Sequence, residues 1–129
     1  MTIEIREVDP RSALATGMIA GSSAEQIERY GRDGGRTAAD LGAAGATFVV
    51  ALIDGEGVGC GAVVPLERDS AELSRIFVTS SARRRGVASA ILRWLEQHSL
   101  TRWRRLVLET GTAQGESVAL YEAHGFTRI

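Results

Sequence analysis

Two spacings of apolar residues divide the chain into strand-like and helix-like runs. The strand-like runs alternate apolar and polar residues or are rich in Val, and turn signals such as Asp9-Pro10 and Asp54-Gly55-Glu56-Gly57 bound them. The strands predicted in this way are Ile3–Val8, 47–53, 58–66, 71–78 and 105–109. The runs 47–53 and 58–66 predict an antiparallel hairpin, which 71–78 extends into a three-stranded meander.

The helix-like runs have apolar residues three and four positions apart or a helix-forming composition. They predict one or two short helices within 12–30, a third short helix around 36–41, a long helix over 87–95 and a last helix over 117–123. Gly17, Gly21 and the glycines of 31–35 are expected breaks in the first region, and Gly125 is expected to end the last helix. The run 87–95 has the clearest helical spacing of apolar residues.

The order of elements in the second half predicts a pair of parallel strands. Strand 71–78, an arginine-rich loop, helix 87–95 and strand 105–109 form a crossover unit, which places the two strands side by side in parallel. The predicted fold class is therefore α/β (α+β), with a mixed, mostly antiparallel twisted sheet and helices on both faces. The length of 129 residues suits a single domain over residues 1–129.

Composition and charge narrow the classes of partner. Hydrophobic residues make up 44% of the chain and charged residues 24%, which is typical of a soluble globular protein. The formal net charge of -1 gives no overall attraction to nucleic acid or to an anionic membrane. No apolar run approaches the roughly twenty residues that cross a bilayer, and the single cysteine forms no internal disulfide. A cytoplasmic protein without a membrane segment is therefore expected.

An arginine-rich turn before the long predicted helix is the strongest candidate for binding chemistry. Residues 83–88 read Arg-Arg-Arg-Gly-Val-Ala. A helix start leaves backbone N–H groups without partners, and the helix dipole adds about half a positive charge there. Gly86 and Ala88 leave room for close approach and the arginines add fork-shaped donors, so a diphosphate is the expected ligand. The alternative is a solvated basic surface.

Two motifs resemble one known family. Arg83, Gly86 and Ala88 match a coenzyme A loop of the form Q/R-x-x-G-x-G/A, and residues 120–126 (Leu-Tyr-Glu-Ala-His-Gly-Phe) match the pattern Leu-Tyr-x-x-x-Gly-Phe. Together, in this order of strands and helices, they resemble the GNAT superfamily of N-acetyltransferases. The resemblance implies an enzyme that moves the acetyl group of acetyl-coenzyme A (acetyl-CoA) directly to a primary amine in a ternary complex. The amine belongs to an unidentified small molecule or peptide.

The resemblance also implies which residues bind the coenzyme. The backbone of Ile76, Phe77 and Val78 is expected to pair with the pantetheine arm as an added strand would. The amides of 84–89 are expected to hold the diphosphate, and the arginine side chains to reach the phosphates. The expected coenzyme-binding residues are Ile76, Phe77, Val78, Arg83, Arg84, Arg85, Gly86, Val87, Ala88, Ser89, Gln114, Ser117 and Tyr121. Gln114 replaces the Asn of the family and keeps an amide with a longer reach.

Two proton-transfer roles follow from the same resemblance. Tyr121 occupies the position of the general acid, where a phenol protonates the departing thiolate. An amine with a pKa near 10 is protonated at neutral pH and must lose a proton before it attacks. Glu72 stands where related sequences keep an acid and is the expected proton acceptor. Glu109 is the weaker candidate, and both carboxylates have the alternative of being sheet-surface charges.

The end of the sequence departs from the family pattern. GNAT domains continue past Gly-Phe into two further strands, whereas this sequence ends at Ile129, so the last one or two C-terminal strands are expected to be absent. The sheet edge exposed in that case makes a homodimer a hypothesis.

The sequence also allows other functions. One is a non-catalytic acyl-CoA-binding or regulatory module of the same fold, and another is nucleic-acid binding through 83–85 and 102–105, which the net charge of -1 disfavours. Cys60 is expected to be a buried, unreactive thiol. His98 and His124 are expected near helix ends, and no metal site is predicted.

Overall fold

A five-stranded mixed sheet forms the centre of the fold. The computed structural model describes residues 2–67 and 69–107. Its strands are β1 (Ile3–Val8), β2 (Thr47–Ile53), β3 (Glu56–Pro65), β4 (Ser70–Val78) and β5 (Arg105–Val107). Its helices are α1 (Ala13–Tyr30), α2 (Ala38–Ala43) and α3 (Val87–Ser99), with a short 3-10 turn at Ser80–Ala82.

The strands lie in the order β1-β2-β3-β4-β5. The first three pairs are antiparallel and β4 pairs with β5 in parallel, which confirms the predicted meander and crossover. The hairpin turn is shorter than the predicted 54–57, because Ile53 already pairs with Glu56. Asp54 and Gly55 both have positive φ values, 52° and 79°, as a two-residue hairpin turn requires. Residues 108 and 109 of the last predicted strand lie outside the described residues.

Helix α1 is one continuous helix, so the predicted breaks at Gly17 and Gly21 are wrong. The Ser12 side chain accepts from the Ala15 amide at the start, and Gly31 ends the helix at a φ of 76°. A glycine inside a helix costs only about 0.5–1 kcal/mol, which the packing of α1 on the sheet offsets. The helix breaks only at Gly31, the glycine that adopts the left-handed conformation.

The two faces of the sheet carry separate apolar layers, which confirms helices on both faces. Helix α3 covers a layer that includes Val49, Ala51, Val63, Leu73, Ile91 and Leu95. Helix α1 and Leu41 of α2 cover a layer that includes Ile19, Phe48, Val50, Leu52 and Cys60. Within the described part of the chain, no helix is both long enough and apolar enough to cross a membrane.

Strand β4 contains a bulge that changes which side chains face each layer. Cys60 pairs with Phe77 and Ala62 with Ser74, so two steps along β3 correspond to three along β4. Arg75, within this extra step, has a φ of 54°. Leu73 before the bulge and Ile76 after it both contribute to the α3 layer, although three positions separate them. Arg75 therefore points to the α1 side, together with Phe77.

Candidate functional site

The arginine-rich segment forms a turn between β4 and α3. Arg83 follows the 3-10 turn in an extended conformation, and Arg84 and Gly86 have positive φ values of 64° and 79°. Val87 is buried and begins α3 directly after Gly86. Over residues 2–67 and 69–107, no side chain caps the α3 start. A helix start of this kind, without a side-chain cap, has the local geometry and positive potential that suit an anion.

The three arginines of this turn occupy different surroundings. Arg84 and Arg85 are exposed at the start of α3, beside the predicted diphosphate position. Arg83 instead turns toward α1, where its guanidinium pairs with Glu25. Its Nε also donates to the carbonyl oxygen of Val78 at 3.2 Å. Contact between Arg83 and a phosphate would therefore require its side chain to leave Glu25.

The segment predicted to receive the pantetheine arm lies at the end of β4. Val78 pairs with Gly59 and Phe77 with Cys60, so β3 occupies one side of this segment. On the other side of β4, the described pairing with β5 covers Ser70–Glu72. Gly59 is needed beneath α3, since a Cβ there would lie 2.8 Å from the Phe77 carbonyl oxygen and 3.1 Å from Ile91 and Val87 side chains. The glycine lets α3 start close to the end of β4.

Charged side chains on the α1 side of β4 meet the segment 31–37, which joins α1 to α2. Glu72 Oε1 lies 2.7 Å from the Arg36 guanidinium. Arg75 donates to Asp33 Oδ2 at 2.6 Å, to the Arg36 carbonyl oxygen at 2.9 Å and to Ser22 Oγ at 3.1 Å. The hydrogen bond from Arg75, with help from Ser23 and the Gly35 amide, lowers the pKa of Asp33 to about 2 despite partial burial.

Arg75, which contacts Arg36 as Glu72 does, was not predicted from the sequence as part of the site. Its side chain is 2% exposed, whereas the predicted site residue Glu72 keeps 27% of its side chain in solvent. The sequence carried one signal for it: apolar residues of the strand recur at positions 71, 73, 76 and 78, so the alternation skips one position around Arg75. A charged residue at such a skip points to a bulge with a buried ion pair.

An open groove of about 610 Å³ runs between the second half of α1 and the end of β4. Gly21, Ala24, Glu25 and Glu28 line it on the helix side, and Phe77, Ser80 and Arg83 on the other. It connects the end of β4 with the arginine-rich turn, which are the two places predicted to contact the coenzyme.

Cys60 and His98, the other polar residues considered from the sequence, make contacts within the fold. Cys60 is fully buried, its thiol donates to the Arg75 carbonyl oxygen at 3.2 Å, and burial raises its pKa to about 12. His98 stacks on Trp94 and hydrogen-bonds Thr47 at 3.1 Å. Among the described residues, no three His, Cys, Asp or Glu side chains form a group that could hold a metal ion. The predicted residues Glu109, Gln114, Ser117 and Tyr121 lie outside the described residues.

Comparison with known proteins gives matches of family, sequence and fold. Residues 44–128 match the family model of the acetyltransferase (GNAT) domain. An IAA acetyltransferase of Azospirillum brasilense is 36% identical over 81 residues, covering 61% of this chain and 53% of that protein. The N-acetyltransferase YjgM of Escherichia coli, described as uncharacterized, is 35% identical over 89 residues, covering 66% of this chain and 53% of that protein. The chain thus spans about half the length of these curated relatives.

A solved structure shares the architecture at lower sequence identity. A GNAT family acetyltransferase from Elizabethkingia anophelis with acetyl-CoA bound superposes with a TM-score of 0.72 and 19% identity, covering 98% of this chain and 77% of that one. At this identity the match concerns the fold.

Proposed function

Because the chain belongs to the acetyltransferase (GNAT) domain family, we propose that it transfers the acetyl group of acetyl-CoA directly to a primary amine of a small molecule or peptide. The observation that carries this proposal is the turn at 83–86, which follows the 3-10 turn after β4 and opens α3 with a left-handed Gly86. A diphosphate in that turn would accept hydrogen bonds from the first amides of α3 and lie beside two exposed arginines. The relative with bound acetyl-CoA supports the choice of coenzyme.

The pantetheine arm would then follow the end of β4 toward the bulge. Backbone groups of Ile76, Phe77 and Val78 would pair with its amides in the manner of an added strand. This path would place the thioester near the middle of β4, within reach of the side chains that leave the strand on the α1 side. Glu72 is the carboxylate of β4 on that side, and its side chain is partly exposed.

In the proposed reaction the acceptor arrives as an ammonium ion and loses one proton to Glu72. Its nitrogen lone pair attacks the thioester carbonyl carbon and forms the C–N bond, and the C–S bond then breaks with its electrons on sulfur. Tyr121 protonates the thiolate, and the amide nitrogen then loses its second proton, which restores the phenol of Tyr121, while the proton on Glu72 passes to solvent. The products are the acetylated amine and coenzyme A as a free thiol, and acid-base help of this kind contributes about a hundredfold to ten-thousandfold in rate.

The experiment that tests the proposal measures coenzyme binding and thiol release separately. Calorimetry gives the affinity for acetyl-CoA, and a thiol-reactive dye follows release in the presence of a diamine, an amino acid, an aminoglycoside and a short peptide with a free N-terminus. We expect at least one amine to accelerate release, and Tyr121→Phe to lower kcat about a hundredfold or more with little change in coenzyme affinity.

Two outcomes would contradict the proposal in different ways. Tight acetyl-CoA binding without release for any amine would favour a non-catalytic acyl-CoA-binding module. Absence of coenzyme binding would contradict the diphosphate site at 83–86 and with it the proposed acetyl transfer.

A further inference from the structure

The segment 31–37 is folded around one buried side chain of β4. Arg75 contacts the segment at Asp33 and at the Arg36 carbonyl oxygen, and it contacts α1 at Ser22. Asp33 in turn accepts from Ser23 Oγ at 2.6 Å and from the Gly35 amide at 2.9 Å. The segment has several bends and no regular structure, and two hydrogen bonds from one guanidinium thus join it to β4.

An arginine side chain can make all three of these contacts at once. Its planar group has five N–H donors in a fixed fork, and three different groups use Nε, Nη1 and Nη2 here. A charge with 2% side-chain exposure is costly to bury unless it is paired and hydrogen-bonded, which Asp33 provides. The guanidinium also lies directly against Gly35, where a Cβ would be only 2.5 Å from Cζ. The fork and the glycine therefore fit each other closely.

Arg36 connects this cluster to the proposed proton acceptor. Its carbonyl oxygen is held by Arg75, and its own guanidinium lies 2.7 Å from Glu72. The main chain of Arg36 is thereby fixed on β4 while its side chain borders the carboxylate. Arg36 and the segment 31–37 therefore form part of the surface beside Glu72.

We infer that Arg75 is a positioning residue for the amine acceptor: it holds segment 31–37 on β4 and, through Arg36, fixes the surroundings of Glu72. The inference rests on the proposed function. It assigns acceptor recognition to segment 31–37, whereas the coenzyme diphosphate belongs to the turn at 83–86. Loss of the Arg75 contacts therefore impairs use of the amine and leaves coenzyme binding intact.

The test compares Arg75→Met, which keeps side-chain volume and removes the fork, with Arg6→Met on β1. Among the residues that the structure describes, Arg6 pairs with Glu4 alone, in an exposed position, and Arg6→Met is the control. With the best amine of the panel, we expect Arg75→Met to lower kcat/KM for the amine about tenfold to a hundredfold, since small misplacements at a reaction centre have effects of this size. The KM for acetyl-CoA should change less than about twofold. Arg75→Lys should give an intermediate loss, because it keeps the charge without the fork.

A structural readout accompanies the kinetics. Trypsin cleaves after Arg32 and Arg36, both within the segment, and mass spectrometry identifies the cut sites. We expect faster cleavage at these two sites in Arg75→Met than in wild type or Arg6→Met, because the Arg36 carbonyl is no longer held. If Arg75→Met does not fold, Asp33→Asn removes the ion pair while keeping the guanidinium, and should show both effects at smaller size.

The outcomes separate the inference from the proposed function. Unchanged amine kinetics in a folded Arg75 variant would overturn the inference, as would an equal rise in the KM values for amine and acetyl-CoA. If wild-type protein binds acetyl-CoA but no amine supports release, the proposed function fails. Trypsin then still tests whether Arg75 holds segment 31–37 on β4: unchanged cleavage in Arg75→Met overturns this and faster cleavage supports it.

Discussion

Replacing Gly35 with alanine tests how tightly the guanidinium of Arg75 is enclosed. The new Cβ would lie 2.5 Å from Cζ, 2.7 Å from Nε and 2.8 Å from Nη1 of Arg75. Contacts this short force a displacement, and a side chain with 2% exposure has no solvent to move into. The guanidinium must retreat from at least one of its three partners.

The expected loss in the free energy of unfolding follows from the hydrogen bonds and the ion pair of Arg75 that the displacement breaks. A hydrogen bond to a charged group contributes about 1.5–3 kcal/mol, and disrupting a buried ion pair costs about 3–5 kcal/mol. Because the guanidinium can keep part of its contacts, we expect Gly35→Ala to lower the free energy of unfolding by about 3 kcal/mol. With a urea m value of about 2 kcal/mol/M, the unfolding midpoint should fall by about 1.5 M.

Gly34 provides the matched control. An added Cβ at Gly34 meets nothing within 4 Å, and its φ is not in the left-handed range. Gly34→Ala should therefore be neutral or stabilise by about 0.4–1 kcal/mol through the unfolded chain. Urea unfolding of both variants, followed by tryptophan fluorescence, compares the midpoints directly. Equal midpoints for Gly34→Ala and Gly35→Ala would refute the close fit of Arg75 against the segment.

Four further predictions address other parts of the fold. Gly17→Ala should raise the free energy of unfolding by about 0.5–1 kcal/mol, because its Cβ would enter open space in α1; a lower urea midpoint would contradict this. Cys60 should resist a thiol-reactive dye in native protein and react fully in urea, given its burial and a pKa of about 12; stoichiometric native labelling would disprove it. Burial, then the charge of Arg102, lowers the pKa of His98 below 6.5, so the unfolded state gains the proton first and stability should fall below about pH 6.5; His98→Gln should flatten that fall in urea titrations. The pKa of Asp33 is lowered from 3.8 to about 2, so the ionised carboxylate stabilises the fold above pH 3.8. This contribution to the free energy of unfolding should disappear between pH 3.8 and 2, and Asp33→Asn should lack it at every pH.

The strand pattern could be predicted from the sequence because each strand carries its own period and turn. Strand β2 begins and ends as predicted, and the parallel pairing of β4 with β5 followed from the crossover rule. The continuity of helix α1 was not predicted, because the low helix propensity of glycine indicated breaks. Packing on the sheet keeps the helix intact. A Cβ at Gly21 would lie only 3.1 Å from the Phe77 ring, so the small size of this glycine serves the helix-sheet contact.

The candidate site likewise has one part that the sequence predicts and another that it does not. The turn at 83–86 was predictable because a short motif and a helix start specify it locally. The contacts of Arg75 with Arg36, Asp33 and Ser22 join residues 39 to 53 positions apart in the chain, and no local pattern relates Asp33 to β4. Likewise the pairing of Arg83 with Glu25 depends on how α1 lies across the sheet, which only the assembled fold determines.

The bulge in β4 gives this strand two surfaces that can vary independently. Leu73 and Ile76 fill the layer beneath α3 on either side of the extra residue, while Glu72 and Arg75 lie on the other side. A substitution at position 72 or 75 therefore acts first on the surface that faces segment 31–37, whereas the side chains beneath α3 keep their places.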